Sequence, residues 1–243
     1  MPIEERVGSV LDAIDTVQVL VNTVNTKGVM GKGLAAEFKK RFGNAMFEHY
    51  KSLCEHGYVK PGRPYLTKAL LKDRPDKEVY ILHFPTKDHW KHRSRIAWIE
   101  EGLAYFRDHY HDMPIITKPP RPHGKPNGTI TQTSFLDNSG HASDEPPRIG
   151  DDGTEHDGPK SREQENRHQS VPCHDGDKDI DSLAEGRLRI ESIAFPQLGC
   201  RNGGLSWTEV RQLMYRYLGD LNDIDVYIYL YDRPDADPPD TEE

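Results

Sequence analysis

Lys87 stands directly behind the apolar run EVYILHFPT, at the point where a strand would give out into a loop. A lysine at a strand's exit into a cleft acts as a nucleophile or an electrostatic stabiliser once its pKa is lowered. Elsewhere a lysine is a solvated surface cation, and the local pattern leaves both readings open. Two glycine-rich stretches accompany it. VNTVNTKGVMGKGL, residues 21–34, passes from β-type residues through Gly28, Gly31 and Gly33 into a helical pattern. FPQLGCRNGGLSW, residues 195–207, does the same with Gly199, Gly203 and Gly204. A strand that runs through glycines into a helix N-terminus offers backbone N–H groups to an anion; the alternative is a chain that merely turns. Neither stretch has the order G-x-x-x-x-G-K-[ST], nor G-x-G-x-x-G with an acidic residue at the ribose distance. An NTPase and a dinucleotide dehydrogenase are both poorly supported. Two cradles at the carboxyl ends of strands suit a diphosphate carrying a sugar better than a single phosphate. Near Lys87, His83, His89 and His92 read as structural or solvent-facing, and Trp90 and Trp98 as packing residues.

These residues need a scaffold, and the hydrophobic pattern supplies one. VQVLVNTVN has the β-branched, apolar character of a buried strand. In the segment after it, Leu34, Phe38, Phe42, Met46 and Tyr50 recur every four residues, the stripe of an amphipathic helix. RPYLT and EVYILHFPT read as strands. RIAWIEEGLAYFRDHY reads as a helix with Ile96, Ile99, Leu103 and Phe106 on one face. RIESIAFPQLG is a strand ending in a turn. SWTEVRQLMYRYLGDL is a helix with Trp207, Val210, Leu213 and Tyr217 inward, and DVYIYLYD is the last strand. Alternating strands and helices predict a layered α/β fold with a parallel or mixed sheet.

One segment breaks the alternation. Residues 119–188 are rich in Pro, Gly, Asp, Ser and His, and Phe135 is their one residue among Phe, Trp and Tyr. Such a stretch cannot bury enough apolar area to offset the entropy of ordering, so it reads as a low-complexity, disordered insertion. Its histidines His123, His141, His156, His168 and His174 match no zinc spacing. Residues 118–188 carry fourteen Asp/Glu and nine Lys/Arg, and the tail 232–243 carries six acids and one arginine. These two segments more than account for the formal charge of −8, and the rest of the chain is slightly basic. No apolar run reaches the length of a membrane span. MPIEERVGSV lacks the basic-then-apolar pattern of a secretory leader. The three cysteines, Cys54, Cys173 and Cys200, form no CxxC pair. A reducing, cytoplasmic setting is expected, or a nuclear one in a eukaryote.

Taken together, VNTVNTKGVMGKGLAAEFKKRF, HFPTKDHW and IAFPQLGCRNGGLSW resemble the macrodomain family, the ADP-ribose-binding fold. Within it they are most similar to the branch of DarG-type DNA ADP-ribosylglycohydrolases and terminal ADP-ribose glycohydrolases. The resemblance covers residues 5–117 and 189–231. It implies a single macrodomain over residues 1–243, a three-layer α/β/α fold with a mixed central sheet, interrupted by the long disordered insertion and followed by the acidic tail.

The resemblance also implies roles. Lys87 would be the catalytic lysine. Asn25 would contact the distal ribose, with Asn22 supporting the loop. Gly28, Val29, Met30 and Gly31 would surround that ribose and the near phosphate, and Gly33 and Leu34 would open the phosphate-facing helix. Gly199, Cys200, Arg201, Asn202, Gly203 and Gly204 would form the second phosphate loop. The implied activity is removal of ADP-ribose from a nucleobase, thymidine in DNA, with no metal and no other cofactor. A non-catalytic ADP-ribose reader, an ADP-ribose 1″-phosphate phosphatase and an O-acetyl-ADP-ribose deacetylase are the alternatives within the fold. The implied partners are ADP-ribose or an ADP-ribosylated substrate such as DNA, and a cognate ADP-ribosyltransferase, with no membrane.

Three departures qualify the likeness. Many macrodomains place an aspartate after the first strand to hold the adenine amino group, where VGSVL places Ser9. The protein-directed glycohydrolases carry an acid in the second loop, where this chain has Gly203, which tilts the expected substrate toward DNA. DarG-type proteins usually continue past the macrodomain, where this chain ends, so antitoxin action through a second domain is not expected.

Overall fold

The computed structural model describes residues 3–118, 120 and 179–231. Their elements, in chain order, are β1 (Glu4–Val7), β2 (Val19–Asn25), α1 (Gly33–Glu55), β3 (Tyr65–Leu70), β4 (Glu78–Lys87), α2 (Ile96–His109), β5 (Met113–Ile116), β6 (Ala184–Leu188), β7 (Ser192–Pro196), α3 (Trp207–Leu218) and β8 (Asp225–Leu230). The strands make one mixed sheet in the order β1-β8-β7-β2-β4-β3-β5-β6. From β1 to β4 every pairing is parallel. β3 runs antiparallel to β4, and β6 antiparallel to β5.

The period-two alternation of the strands sorts the core into two layers. Val19 and Val21 of β2, Leu82 and Phe84 of β4, and Ile193 and Phe195 of β7 pack with Ile99, Leu103 and Phe106 of α2 and Val210, Met214 and Leu218 of α3. Their neighbours Leu20, Val24, Ile81 and Ala194 face the opposite way, against Phe38, Phe42, Met46, Tyr50 and Leu53 of α1. The sheet is thus covered on both faces, which is why its central strands read as near-continuous apolar runs. The expected three-layer α/β/α fold with a mixed sheet is the one observed. Among the described residues, no helix is long and apolar enough to cross a membrane.

The stripe on α1 has a consequence in the backbone. A strict four-residue repeat advances about 40° per step on a straight α-helix, so from Leu34 to Tyr50 it would wind roughly 160° around the axis. The helix is broken at Gly43, whose φ of 80° is non-helical. The break lets both halves turn the same stripe toward one sheet. In α2 the buried stripe begins at Ile99, because Ile96, the helix's first residue, is exposed.

One boundary is corrected. Residues 179–188, expected as the end of a structureless insertion, form a 3-10 turn at Ile180–Leu183 and the edge strand β6. Ile180 and Leu183 are buried, and the polar AEGRL of β6 pairs with β5 because an edge strand needs no apolar face. Residues 121–178, their five histidines and Cys173, and the tail 232–243 lie outside the described residues.

Candidate functional site

The carboxyl ends of the parallel strands β1, β8, β7, β2 and β4 open into a cleft of about 810 Å³, within the range of small-molecule sites. Five adjacent strands at about 4.8 Å spacing give it a span of roughly 19 Å. Gly8, Ser9, Val10, Tyr229 and Tyr231 line one end, and Thr86, Lys87, Trp90 and Lys91 line the other. Between them lie Val29, Gly31, Gly33 and Leu34 of the first glycine loop and Gly199, Cys200, Arg201, Asn202 and Gly203 of the second. Among the described residues its Lys and Arg side chains are Lys32, Lys87, Lys91 and Arg201, and its one carboxylate is Glu37, so this lining favours an anion. The first turn of α1 adds to this. Its cap, Lys32, makes no side-chain bond to the helix, so N–H groups of Gly33, Leu34 and Ala35 remain for a ligand.

The first loop is braced from three sides. The Asn25 side chain closes it, with Nδ2 donating to the Val29 carbonyl at 2.7 Å and Oδ1 accepting from Lys27 N at 2.9 Å. The Tyr50 hydroxyl donates to the Asn25 carbonyl at 2.7 Å. Thr26 then ties the loop to the end of β4: its N–H donates to the Lys87 carbonyl at 3.1 Å and its Oγ1 to the Asp88 carbonyl at 2.6 Å. Lys87 is therefore positioned through its own backbone.

The second loop closes on the first. The Lys87 ammonium donates to the Asn202 carbonyl, and Ser94 N–H donates to the Gly203 carbonyl at 2.9 Å. Gly33 has φ +57°, a backbone conformation that favours glycine, and a Cβ there would stand 2.5 Å from Asn202 Nδ2, so any side chain would displace the Asn202 amide where the two loops meet. A Cβ on Gly203 would lie 2.6 Å from Ser94 Oγ and 3.9 Å from Lys87 Cε. The space that a second-loop acid would need beside the lysine is thus held by a serine hydroxyl.

Burial lowers the Lys87 pKa from the ordinary lysine value. Cys200 also lines the cleft, but burial pushes its thiol up to about 12, which makes it a poor nucleophile near neutrality. Among the described residues no three His, Cys, Asp or Glu side chains gather as a metal cage.

The expected site residues divide by position. Lys87, Asn25, Val29, Gly31, Gly33, Leu34, Gly199, Cys200, Arg201, Asn202 and Gly203 are on the cleft wall. Asn22, Gly28, Met30 and Gly204 are not. Asn22 is fully buried under α1 with an unpaired amide, and Met30 packs into the core below the loop. Gly28 faces Lys51 of α1, and Gly204 faces Arg93. The Asn25 amide, expected to contact a ligand, is mostly committed to its own loop.

Of the wall residues that were not anticipated, Ser94 and Trp90 differ most from their sequence reading. Ser94 is 5% exposed with its hydroxyl unpaired, and no local pattern in HRSRI signals this. Trp90 is corrected from a packing residue to an exposed one, 48% accessible at the rim; its charged neighbours in DHWKHR are the signal that it had no core to enter. Ser9 lines the far end and caps the 3-10 turn Val10–Ala13, with Asp12 accepting from its N–H at 2.9 Å.

The Macro domain family model matches residues 21–111. A DNA ADP-ribosyl glycohydrolase of Mycobacterium tuberculosis is 38% identical over 213 residues, 87% of this chain and 38% of that protein. The solved macrodomain of Mycobacterium tuberculosis DarG aligns with a TM-score of 0.55 at 27% identity, over 93% of this chain and 96% of that one. Thermosipho africanus DarTG, solved in complex with ADP-ribose, aligns with a TM-score of 0.51 at 27% identity, over 89% of this chain and 38% of that one. The chain spans 38–39% of the length of the curated relatives it matches.

Proposed function

Since this chain belongs to the macrodomain family, we propose that it is an ADP-ribosylglycohydrolase that cleaves the bond between the distal ribose C1″ and a nucleobase, thymine in DNA. The observation that carries the proposal is Lys87: a lysine with lowered pKa, fixed through its backbone at the meeting point of the two glycine loops. The relatives named as DNA ADP-ribosyl glycohydrolases support the reaction class, and the ADP-ribose complex of a structural neighbour supports the ligand.

In this reading the ligand lies along the cleft. The adenosine end rests among Ser9, Val10 and Tyr229, and the diphosphate faces the first turn of α1 and the second loop. The distal ribose sits beside Val29, Gly31 and the one Asn25 N–H left after its bond to Val29. Ser94, buried and unpaired, is placed to donate to a ribose or phosphate oxygen. Binding of this kind brings C1″ to Lys87. Positioning of that quality is worth up to ~7–11 kcal/mol of the barrier.

Two roles fit the lysine. As a neutral amine its Nζ bonds to C1″ while the bond to the base breaks, the base takes up a proton, and water then releases ADP-ribose and free lysine. As an ammonium it stabilises the departing base while water attacks. The hydrogen bond from Nζ to the Asn202 carbonyl fixes the amine's direction in the first role and leaves its lone pair free for attack.

A panel of substrates tests the reaction class. The proposal expects release of ADP-ribose from a thymidine-ADP-ribosylated oligonucleotide, and no phosphate or acetate from ADP-ribose 1″-phosphate or O-acetyl-ADP-ribose. Release of phosphate or acetate alone would assign the fold's other chemistry. Tight ADP-ribose binding with no release from any of them would leave a reader module. A cognate ADP-ribosyltransferase as partner belongs to the same proposal; a fusion of the two activities in one Thermosipho africanus relative supports it.

A further inference from the structure

At the Lys87 end of the cleft and along its rim, the loop that follows Lys87 carries an aromatic and basic strip whose Trp90, Lys91 and Arg93 the ADP-ribose reading leaves without a role. Residues 87–95, KDHWKHRSR, hold Lys87, Lys91, Arg93 and Arg95 against a single acid, Asp88. Asp88 is itself engaged with His92 at 3.2 Å. Trp90 at the rim is 48% exposed. Its ring is backed by His89, with centroids 5.3 Å apart and planes inclined 26°, and His92 lies 4.9 Å beyond His89. Lys91 and Arg93 are both exposed.

The backbone of this strip is hydrogen-bonded within itself and at both ends. His92 N donates to the His89 carbonyl at 3.0 Å, and Lys91 N donates to His89 Nδ1 at 3.2 Å. The Asp88 carbonyl is held by Thr26 and the Ser94 N–H by Gly203. A preorganised aromatic face flanked by cations is the composition that binds single-stranded nucleic acid, by base stacking and phosphate pairing. The Lys91 ammonium, 4.9 Å from the Trp90 ring centroid, is a solvated cation–π contact. Such a contact is weaker than a stacked base, so a base displaces it and frees the lysine for a phosphate.

We infer that the 89–95 loop is the DNA platform of the proposed glycohydrolase: Trp90 stacks on the base neighbouring the ADP-ribosylated thymine, while Lys91 and Arg93 pair with flanking phosphates. The inference rests on the reading that the modified base belongs to DNA. It predicts that the enzyme distinguishes an ADP-ribosylated oligonucleotide from the ADP-ribosylated mononucleoside, because only the first has a base and phosphates to engage.

The test compares kcat/KM for those two substrates. Wild type should prefer the oligonucleotide by about 10-fold, the weight of one stacked base. Trp90→Ala should bring that ratio close to one, and Trp90→Phe should keep most of it. Lys91→Ala with Arg93→Ala should flatten the logarithmic dependence of the oligonucleotide's kcat/KM on salt by about 1.4, at about 0.7 per phosphate contact. A ratio and a salt slope that these variants leave unmoved would overturn the platform while sparing the glycohydrolase. Failure of wild type to release ADP-ribose from either substrate, with free ADP-ribose still bound, would remove the parent reading and the platform with it.

Discussion

At the residue scale the site turns on Lys87 and on Gly33, the glycine against the loop that Lys87 meets. If the neutral amine attacks, activity rises with pH as the ammonium loses its proton, and levels off above a midpoint below the ordinary lysine value of 10.5. A stabilising ammonium gives the opposite limb, with activity falling as pH rises through the same midpoint. A kcat/KM profile between pH 6 and 10 decides between them, and the lowered pKa favours the rising limb. Gly33 gives a second prediction. Gly33→Ala must adopt φ +57° and push against Asn202. The left-handed backbone alone costs about 1–2 kcal/mol, so calorimetry should show weakened ADP-ribose binding together with a lower Tm. Lys87, Gly31, Gly33, Gly199 and Gly203, set in short motifs, were legible in the sequence as positions that meet at one cleft. Ser94 was not, because its burial comes from the second loop folding over it, a contact more than a hundred residues distant in the chain.

At the element scale the site is positioned by β4 and what packs on it. Gly102 of α2 lies directly over the Phe84 ring, and a Cβ there would fall well inside contact distance. Phe84 is fully buried in β4, three residues before Lys87. Gly102→Ala should therefore destabilise by about 1–3 kcal/mol through overpacking despite alanine's better helix propensity. Denaturant unfolding measures the loss, and a variant as stable as wild type would show that α2 does not press on the strand.

On the other face of β4, His83 stacks between Tyr50 and Tyr65, and its Nε2 lies 3.1 Å from Thr67 Oγ1. Burial, with a smaller contribution from the nearby His49, lowers its pKa to about 3. The unfolded chain then binds the proton first. Stability should fall as pH drops from about 6.5 toward 3, by at most about 1.4 kcal/mol per pH unit from this one group. His83→Gln should show a shallower decline of Tm over the same range. Helices and long strands were legible here from periodicity. The short strand β5 and the edge strand β6 were not, because four or five residues with a proline or a polar run carry no period of their own.

At the scale of the whole molecule, the sheet separates what the fold requires from what it carries. β5 and β6 pair antiparallel with Ile116 opposite Ala184, and Lys118 N–H donates to the Leu183 carbonyl at 3.3 Å. The chain thus leaves and re-enters the sheet at neighbouring points. Replacing residues 121–178 with a short Gly/Ser linker should preserve the Tm within a few degrees and retain ADP-ribose binding. Removing 119–188 instead takes away β6 and the buried Ile180 and Leu183, and should destabilise the domain by about 2–5 kcal/mol, the scale of losing buried leucine-sized side chains. The first boundary follows from the structure and the second from composition, which cannot tell a polar edge strand from a loop. Everything proposed for the cleft depends on lysine-dependent glycohydrolysis. It is tested most directly by following ADP-ribose release from a thymidine-ADP-ribosylated single-stranded oligonucleotide by wild type and Lys87→Ala, with calorimetric binding of ADP-ribose to both. The expected result is release by wild type, a loss of at least about 100-fold in Lys87→Ala, and binding retained in the variant. Near-normal release by Lys87→Ala would contradict it.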